Sequence, residues 1–199
     1  MAQQQLEETL CTLLAHPEGR IVEFKTAKNQ YDEDKLGRYF TALANEANLT
    51  DVDAAWIIFG VDDARRVVGT QYLHGENHER QLRMKVEEGT QPSSGFRDIH
   101  ELQTTEGRVL LFEVPPAPRG IPMAWKGHYY ARDGENLVPL ALDKIDEIRQ
   151  QTLAGDWTAA VVPEATIQHL DLAALAKARE AFAAKHPEAA DEISAWTNT

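Results

Sequence analysis

Carboxylate side chains stand at the ends of two predicted strands. Glu18 and Glu23 lie five residues apart around the start of a short strand. Asp62 and Asp63 follow the almost continuously apolar run 54–61, which predicts a strand covered on both faces. If the two strands are neighbours, these carboxylates gather at one rim of a sheet. Converging carboxylates can hold Mg²⁺ or Mn²⁺, which activates water and offsets phosphate charge in phosphodiester cleavage.

The same residues also fit a structural interpretation. Glu23 would pair with Lys25 or with a buried arginine, Asp62 would cap its turn, and Glu18 would be exposed to solvent. Spacing alone does not choose between this arrangement and a metal site made of Glu18, Glu23, Asp62 and Asp63. Both interpretations therefore stay open at this point.

Basic residues near the same rim and on a later strand are candidates for contact with nucleic-acid phosphates: Lys25, Lys28, Arg65, Arg66, Lys126 and Arg132. The formal net charge of −12 argues against indiscriminate binding, because phosphate contact depends on clustered lysine and arginine. The alternative is an ordinary charged surface. Trp125, Tyr129 and Tyr130 could stack on bases, although aromatic residues that alternate along a strand are more often core.

Several classes of function lack their motifs. The sequence contains neither a GxxxxGK[ST] phosphate loop nor a GxGxxG or GxSxG frame, which argues against an ATPase, a dinucleotide-binding enzyme and a serine hydrolase. The single Cys11 cannot form an internal disulfide, and the dispersed histidines suggest no zinc site. No apolar run reaches about 18 residues and no signal peptide is recognisable, so we expect a cytoplasmic protein of prokaryotic type.

The pattern of elements predicts an α+β fold, with a mixed, largely antiparallel sheet flanked by helices and a C-terminal helical tail. The predicted elements are a leucine-bearing N-terminal helix, a helix capped by Asp32, a helix over 74–88, strands at 96–102, 108–114 and 128–132, and a helix over 142–152. A change to alanine-rich, acidic composition follows. We therefore expect a domain at 1–157 and a helical appendage at 158–199.

Four ordered motifs over roughly residues 15–150 resemble the Schlafen AlbA-like domain family. The first is Glu18-x4-Glu23-Phe24-Lys25, and the second is the helix segment Ala42-Leu43-Ala44-Asn45. The third is the apolar strand that ends in Gly60-Val61-Asp62-Asp63. The fourth runs from Lys126 through Arg132-Asp133-Gly134 to Val138-Pro139-Leu140.

The resemblance implies two activities. Bacterial members are DNA-binding N-terminal modules of transcriptional regulators, often followed by a winged-helix segment, which would begin beyond Thr199. Eukaryotic relatives include metal-dependent RNA endonucleases, whose acidic residues correspond to Glu18, Glu23 and Asp62. We expect DNA binding first and a nuclease as the alternative, with a homodimer as one way to complete a two-lobed groove. A protein-interaction module is the third interpretation.

Overall fold

The computed structural model describes residues 3–15, 19–73, 76–154, 169 and 171–189. Its helices are α1 (Gln3–Ala15), α2 (Glu33–Leu49), α3 (Glu76–Gly89), α4 (Leu142–Ala154) and α5 (Leu172–Lys185). Its strands are β1 (Val22–Lys25), β2 (Ala55–Phe59), β3 (Thr90–Gln91), β4 (Asp98–Gln103), β5 (Arg108–Val114), β6 (Ala124–Trp125), β7 (His128–Asp133) and β8 (Asn136–Pro139). The chain divides into two compact units, Met1–Gly155 and Asp156–Thr199.

The described strands of the first unit form two four-stranded sheets, in the orders β1-β2-β5-β4 and β3-β6-β7-β8. Only the β1–β2 pair among them is parallel, and the other pairs are antiparallel. The predicted α+β class with largely antiparallel pairing is confirmed. The strands form two sheets rather than the one expected, and α2 packs against strands of both. None of the described helices is long and apolar enough to cross a bilayer.

The first sheet is buried on both faces. Along β2, Ile57 and Phe59 join the core beneath α2, whereas Ile58 joins the core beneath α1, where Leu6 and Leu10 cover it. All residues of β5 are buried as well. The prediction that the 54–61 run is covered on both faces is therefore confirmed, because each face of the sheet has its own helix.

Helix α2 begins at the predicted cap, Asp32, whose side chain accepts hydrogen bonds from the backbone of Asp34 and Lys35. From Leu36 onward the helix is buried almost all round. Its buried Asn45 donates to the carbonyls of Met123 and Tyr130, both at 2.9 Å, and accepts from the Met123 amide at 2.8 Å. These three hydrogen bonds connect α2 to the second sheet.

Two glycines make room for the largest buried side chain. A Cβ atom at Gly37 of α2 or at Gly89, the last residue of α3, would collide with the Trp125 ring. The ring is 1 % exposed, and the Lys126 amide donates to the Gly89 carbonyl at 2.7 Å. Trp125 is therefore core, which the sequence allowed as the commoner alternative to base stacking.

Most predicted elements lie where the sequence places them, but the short strands are exceptions. The segment 67–69 pairs with the residues after β2 through an isolated antiparallel bridge between Val61 and Val67. Strands β3, β6 and β8 were not predicted as separate elements, because two to four residues carry no readable alternation. In the second unit, α5 begins at Asp171, which caps the amides of Ala173 and Ala174.

Candidate functional site

Strands β1 and β2 bring the two acidic stretches next to each other. Glu23 lies opposite Ile57 and Lys25 opposite Phe59 in the parallel register. The Lys25 carbonyl then accepts from the amides of Gly60 and Val61 at 2.8 and 3.3 Å. The condition on which the predicted rim depended, that these strands are neighbours, is therefore met.

Glu23 is a buried ion-pair partner in this structure. Its carboxylate contacts the guanidinium of Arg132 on β7 and the ammonium of Lys25. The side chains of Glu23 and Arg132 are both 0 % exposed. Both cations also contact the ring of Tyr39 on α2. The Tyr39 ring centroid lies 5.2 Å from the Arg132 guanidinium carbon and 5.3 Å from Lys25 Nζ. The pair thus joins the first sheet, the second sheet and α2.

A second buried carboxylate, Glu46 of α2, extends this charged cluster. Its Oε1 accepts from Lys144 Nζ at 2.6 Å and from the Arg132 amide at 3.4 Å, and its Oε2 lies 3.4 Å from Arg20 Nε. Sequence reasoning missed Glu46. The available signal was a carboxylate inside the apolar run Ala42–Ala47, since an acid in a buried helix needs a cation as partner.

Asp62 lies in the turn after β2 and has its own partner. Its Oδ1 accepts from the Arg66 amide at 2.9 Å, and its Oδ2 accepts from Arg66 Nε at 2.9 Å and Nη2 at 2.7 Å. These bonds lower the pKa of the Asp62 carboxyl, the side-chain bond from Arg66 being the largest cause. Gly60 is required at the turn, because its φ is 93° and a Cβ there would meet the Arg108 carbonyl. Asp63 is exposed.

The described contacts of Glu23 and Asp62 are those of the structural interpretation. Glu23 pairs with Lys25 and a buried arginine, and Asp62 caps its turn. Within the part of the chain that the structure describes, no three His, Cys, Asp or Glu side chains are grouped to hold a metal. Glu18 lies outside the described residues, so the full set of four predicted ligands remains a prediction.

The predicted phosphate-contacting residues divide into exposed and buried members. Lys28, Arg65, Arg66 and Lys126 are exposed, and Lys25 is 24 % exposed. Arg132 is buried against Glu23 and has no surface to offer a phosphate. We therefore correct its role from phosphate contact to internal partner of Glu23.

Two cations in the first two turns of α2, Lys35 and Arg38, were not among the residues selected from the sequence. Lys126 and Arg38 both contact the Asp34 carboxylate, Arg38 at 3.3 Å. The hydrogen bond from Lys126 is the largest cause that lowers the pKa of Asp34. Lys35 Nζ lies 5.9 Å from the centroid of the Tyr39 ring, the ring that Lys25 also contacts. The signal for Lys35 and Arg38 was their spacing along one helix.

We call Lys25, Lys35, Arg38 and Lys126 the α2 cation cluster. Asp32 and Glu33 at the helix start oppose it in charge, but Glu33 is bonded by Lys85 at 2.6 Å and Asp32 caps the helix. Asp34 lies within the cluster and pairs with Lys126 and Arg38, so the cluster brings four cations together with one partly exposed carboxylate.

Comparison with solved structures shows what the fold is similar to. A crystal structure of the DIP2311 protein from Corynebacterium diphtheriae is 21 % identical, with a TM-score of 0.52, over 98 % of this chain and 35 % of that one. The chain thus spans about a third of the length of that protein. The N-terminal domain of a RecG-related protein from Nitrosomonas europaea is 23 % identical, with a TM-score of 0.42, over 68 % of this chain and 92 % of that one. At such identities the likeness to DIP2311 concerns the fold.

Curated protein sequences gave no match. The family profile described as Schlafen, AlbA_2 matches residues 18–141, more than half of the chain. The matched region begins at Glu18 and includes both sheets, α2 and the charged cluster of Glu23, Glu46 and Arg132. The chain therefore belongs to the Schlafen AlbA_2 family.

Proposed function

We propose that the domain binds nucleic acid through its phosphate backbone, as the DNA-binding module of a transcriptional regulator. The observation that carries this proposal is the α2 cation cluster. Its four cations belong to two turns of α2, the end of β1 and the turn between β6 and β7. A helix rises about 1.5 Å per residue, so such a cluster can follow neighbouring phosphates.

The carboxylates near the cluster determine how much positive charge it presents to a phosphate. Glu23 is buried and pairs with both Arg132 and Lys25, so Lys25 already has an internal partner. The more exposed cations of the cluster are Lys35, Arg38 and Lys126. Asp34 is the acid that holds Lys126 and Arg38. A bound phosphate would partly replace Asp34 as the anionic partner of these two cations. The net charge of −12 makes the rest of the protein surface repel nucleic acid, which favours binding at the α2 cation cluster.

The test is fluorescence anisotropy of labelled single- and double-stranded DNA and RNA, each measured over a series of salt concentrations. We expect affinity to fall steeply with salt, because phosphate contacts release counterions. Lys35→Gln and Lys126→Gln should each weaken binding to every sequence and reduce the salt slope by about one.

Arg119→Gln is the matched control. Arg119 is an exposed arginine paired with Asp51, just beyond the opposite end of α2. Positions 35 and 51 are separated by roughly 24 Å if the helical rise is continued. Binding that does not depend on salt, or that Arg119→Gln weakens as much as Lys35→Gln does, would reject the proposal.

The nuclease alternative is tested in the same series by adding Mn²⁺. Glu23 could serve as a metal ligand only after releasing two cations, Arg132 and Lys25, and Asp62 only after releasing Arg66. We therefore expect binding without metal-dependent cleavage. Cleavage that requires Mn²⁺ and is lost in Glu23→Gln would favour the nuclease instead.

A further inference from the structure

A cavity of about 440 Å³ lies among the loop after β1, the start of α2, the segment 71–73 and α3, and none of Glu23, Glu46 and Arg132 lines it. We call it the tyrosine pocket. Its wall includes four side-chain amides and two phenols: Asn29, Gln30, Gln71, Gln81, Tyr31 and Tyr72. The volume lies within the roughly 300–1,000 Å³ typical of small-molecule sites.

The pocket is built on a fixed frame. Two hydrogen bonds join the loop after β1 to the loop before α3. The Thr70 hydroxyl donates to the Ala27 carbonyl at 2.5 Å, and the backbone amide of Gln71 donates to the Lys28 carbonyl at 2.6 Å. The buried Arg108 holds the second loop by donating to the Tyr72 carbonyl at 2.7 Å. A wall held in this way is formed before any ligand arrives, which limits the ordering cost of binding.

The floor of the pocket is aromatic. The Phe59 ring lies between two tyrosine rings, with centroids 4.8 Å from Tyr31 and 5.1 Å from Tyr72. Tyr72 is 6 % exposed, and neither tyrosine hydroxyl has a hydrogen-bond partner among the described residues. A buried hydroxyl without a partner is unfavourable, so each of the two hydroxyls would gain from a new hydrogen-bond partner.

The charge of the lining selects the class of ligand. Glu33 is the carboxylate among the described lining residues, and Lys85 already neutralises it at 2.6 Å. What remains is a set of amides that can both donate and accept, together with the exposed His78 imidazole and the Leu73 side chain, beside aromatic rings. This combination suits a flat, uncharged heterocycle with donors and acceptors on its edge, as side-chain amides bind the edges of bases and aromatic rings stack on their faces.

We propose that the tyrosine pocket binds an unpaired nucleobase of the strand held by the α2 cation cluster. This inference rests on the proposed nucleic-acid binding. Lys28, whose carbonyl is part of the loop frame and whose side chain is exposed, lies beside the pocket and contacts the phosphate of the same nucleotide. The edge of the base meets Gln71 and Gln81, and its face meets the tyrosine wall.

The test compares two labelled single strands of equal length and charge, one bearing bases and one fully abasic, together with the paired duplex. The wild-type protein should bind the base-bearing strand about tenfold more tightly than the abasic strand, from stacking and edge contacts together. Gln71→Leu and Gln81→Leu each remove an edge contact, so each should reduce this difference measurably and leave the salt slope unchanged. Gln103→Leu, an exposed amide on β4, is the control and should retain it.

The two proposals fail in different ways. If both strands bind with a salt slope but equally well, or if Gln81→Leu keeps the difference, the pocket assignment is overturned and phosphate binding stands. If neither strand binds, the nucleic-acid function falls, and titration with free nucleosides then decides the pocket. Saturable nucleoside binding lost in Gln81→Leu would assign the same chemistry to a free nucleoside, and absence of binding would overturn the pocket altogether.

Discussion

The Glu23–Arg132 and Asp62–Arg66 pairs join the same chemical groups in opposite surroundings. In the first pair both side chains are 0 % exposed, whereas in the second Arg66 is 76 % and Asp62 17 % exposed. The first links strands of different sheets, and the second closes a turn within five residues. The first pair is therefore part of the framework of the fold, and the second is local and replaceable.

The two pairs also differ in what their removal leaves behind. Loss of one partner from a buried pair leaves a charge without solvent, which is strongly unfavourable, whereas an exposed partner simply returns to water. The comparison therefore yields an order of expected effects, and each substitution below tests one position in that order.

The largest effect is expected for Arg132→Met. The substitution leaves Glu23 buried beside the cation Lys25, and it should lower the free energy of unfolding by about 3–5 kcal/mol. Urea denaturation followed by circular dichroism measures this change. The double variant Glu23→Leu/Arg132→Met removes both charges and should recover much of the loss. A loss below about 1 kcal/mol in the single variant would mean that the pair is not the buried framework described here.

A smaller loss is expected for the neutral buried group on α2. Asn45→Ala removes three hydrogen bonds to Met123 and Tyr130 and leaves a buried amide and two carbonyls unpaired. We expect a decrease of about 2–4 kcal/mol in the free energy of unfolding. Asn45→Asp is the sharper comparison, because it keeps the acceptor for the Met123 amide and replaces the donor with a buried charge. It should be at least as destabilising as Asn45→Ala, and a stable Asn45→Asp variant would contradict the assigned bonds.

The contrast between the pairs also marks what could be predicted from the sequence. The Asp62–Arg66 bond is local, and the interpretation that Asp62 caps its turn came from the same few residues. Asp32 was identified as a cap and 54–61 as a doubly covered strand for the same reason: the signal lies within a few residues. The motif order also identified the family correctly.

What the sequence could not supply is long-range pairing. The partner of Glu23 was expected to be Lys25 or an unspecified buried arginine, and Arg132 was assigned to phosphates, because exposure on β7 depends on how α2 packs against it. Glu46 and the tyrosine pocket were missed for the same reason. Tyr31 and Tyr72 come from separate loops, and the Thr70 and Gln71 bonds join those loops across about forty residues of sequence.

A third prediction concerns pH and the pocket wall. Burial is the largest cause that raises the pKa of Tyr72 above its usual value of 10.0. In the unfolded chain this phenol releases its proton at about pH 10, while the folded chain retains it, so stability is complete below that pH and falls above it. The loss should approach about 1.4 kcal/mol per pH unit for one proton. Urea midpoints measured from pH 9 upward should fall less steeply in Tyr72→Phe, and equal slopes would contradict the buried phenol.

The smallest effect is expected for Asp62→Asn, which completes the comparison. The amide keeps an acceptor for the Arg66 backbone and loses the two bonds from the exposed Arg66 guanidinium, so the free energy of unfolding should fall by much less than in Arg132→Met or Asn45→Ala. The lowered pKa of Asp62 places its titration below its usual value of 3.8, so the result should hold from neutral pH down to that range.

Adding Mn²⁺ to wild type and to Asp62→Asn tests whether this carboxylate is a metal ligand. If Mn²⁺ raises the thermal midpoint of wild type and Asp62→Asn abolishes the rise, this carboxylate is a metal ligand and the nuclease interpretation regains its strongest residue. If Mn²⁺ leaves both proteins unchanged, the exposed pair has only its local role in the turn.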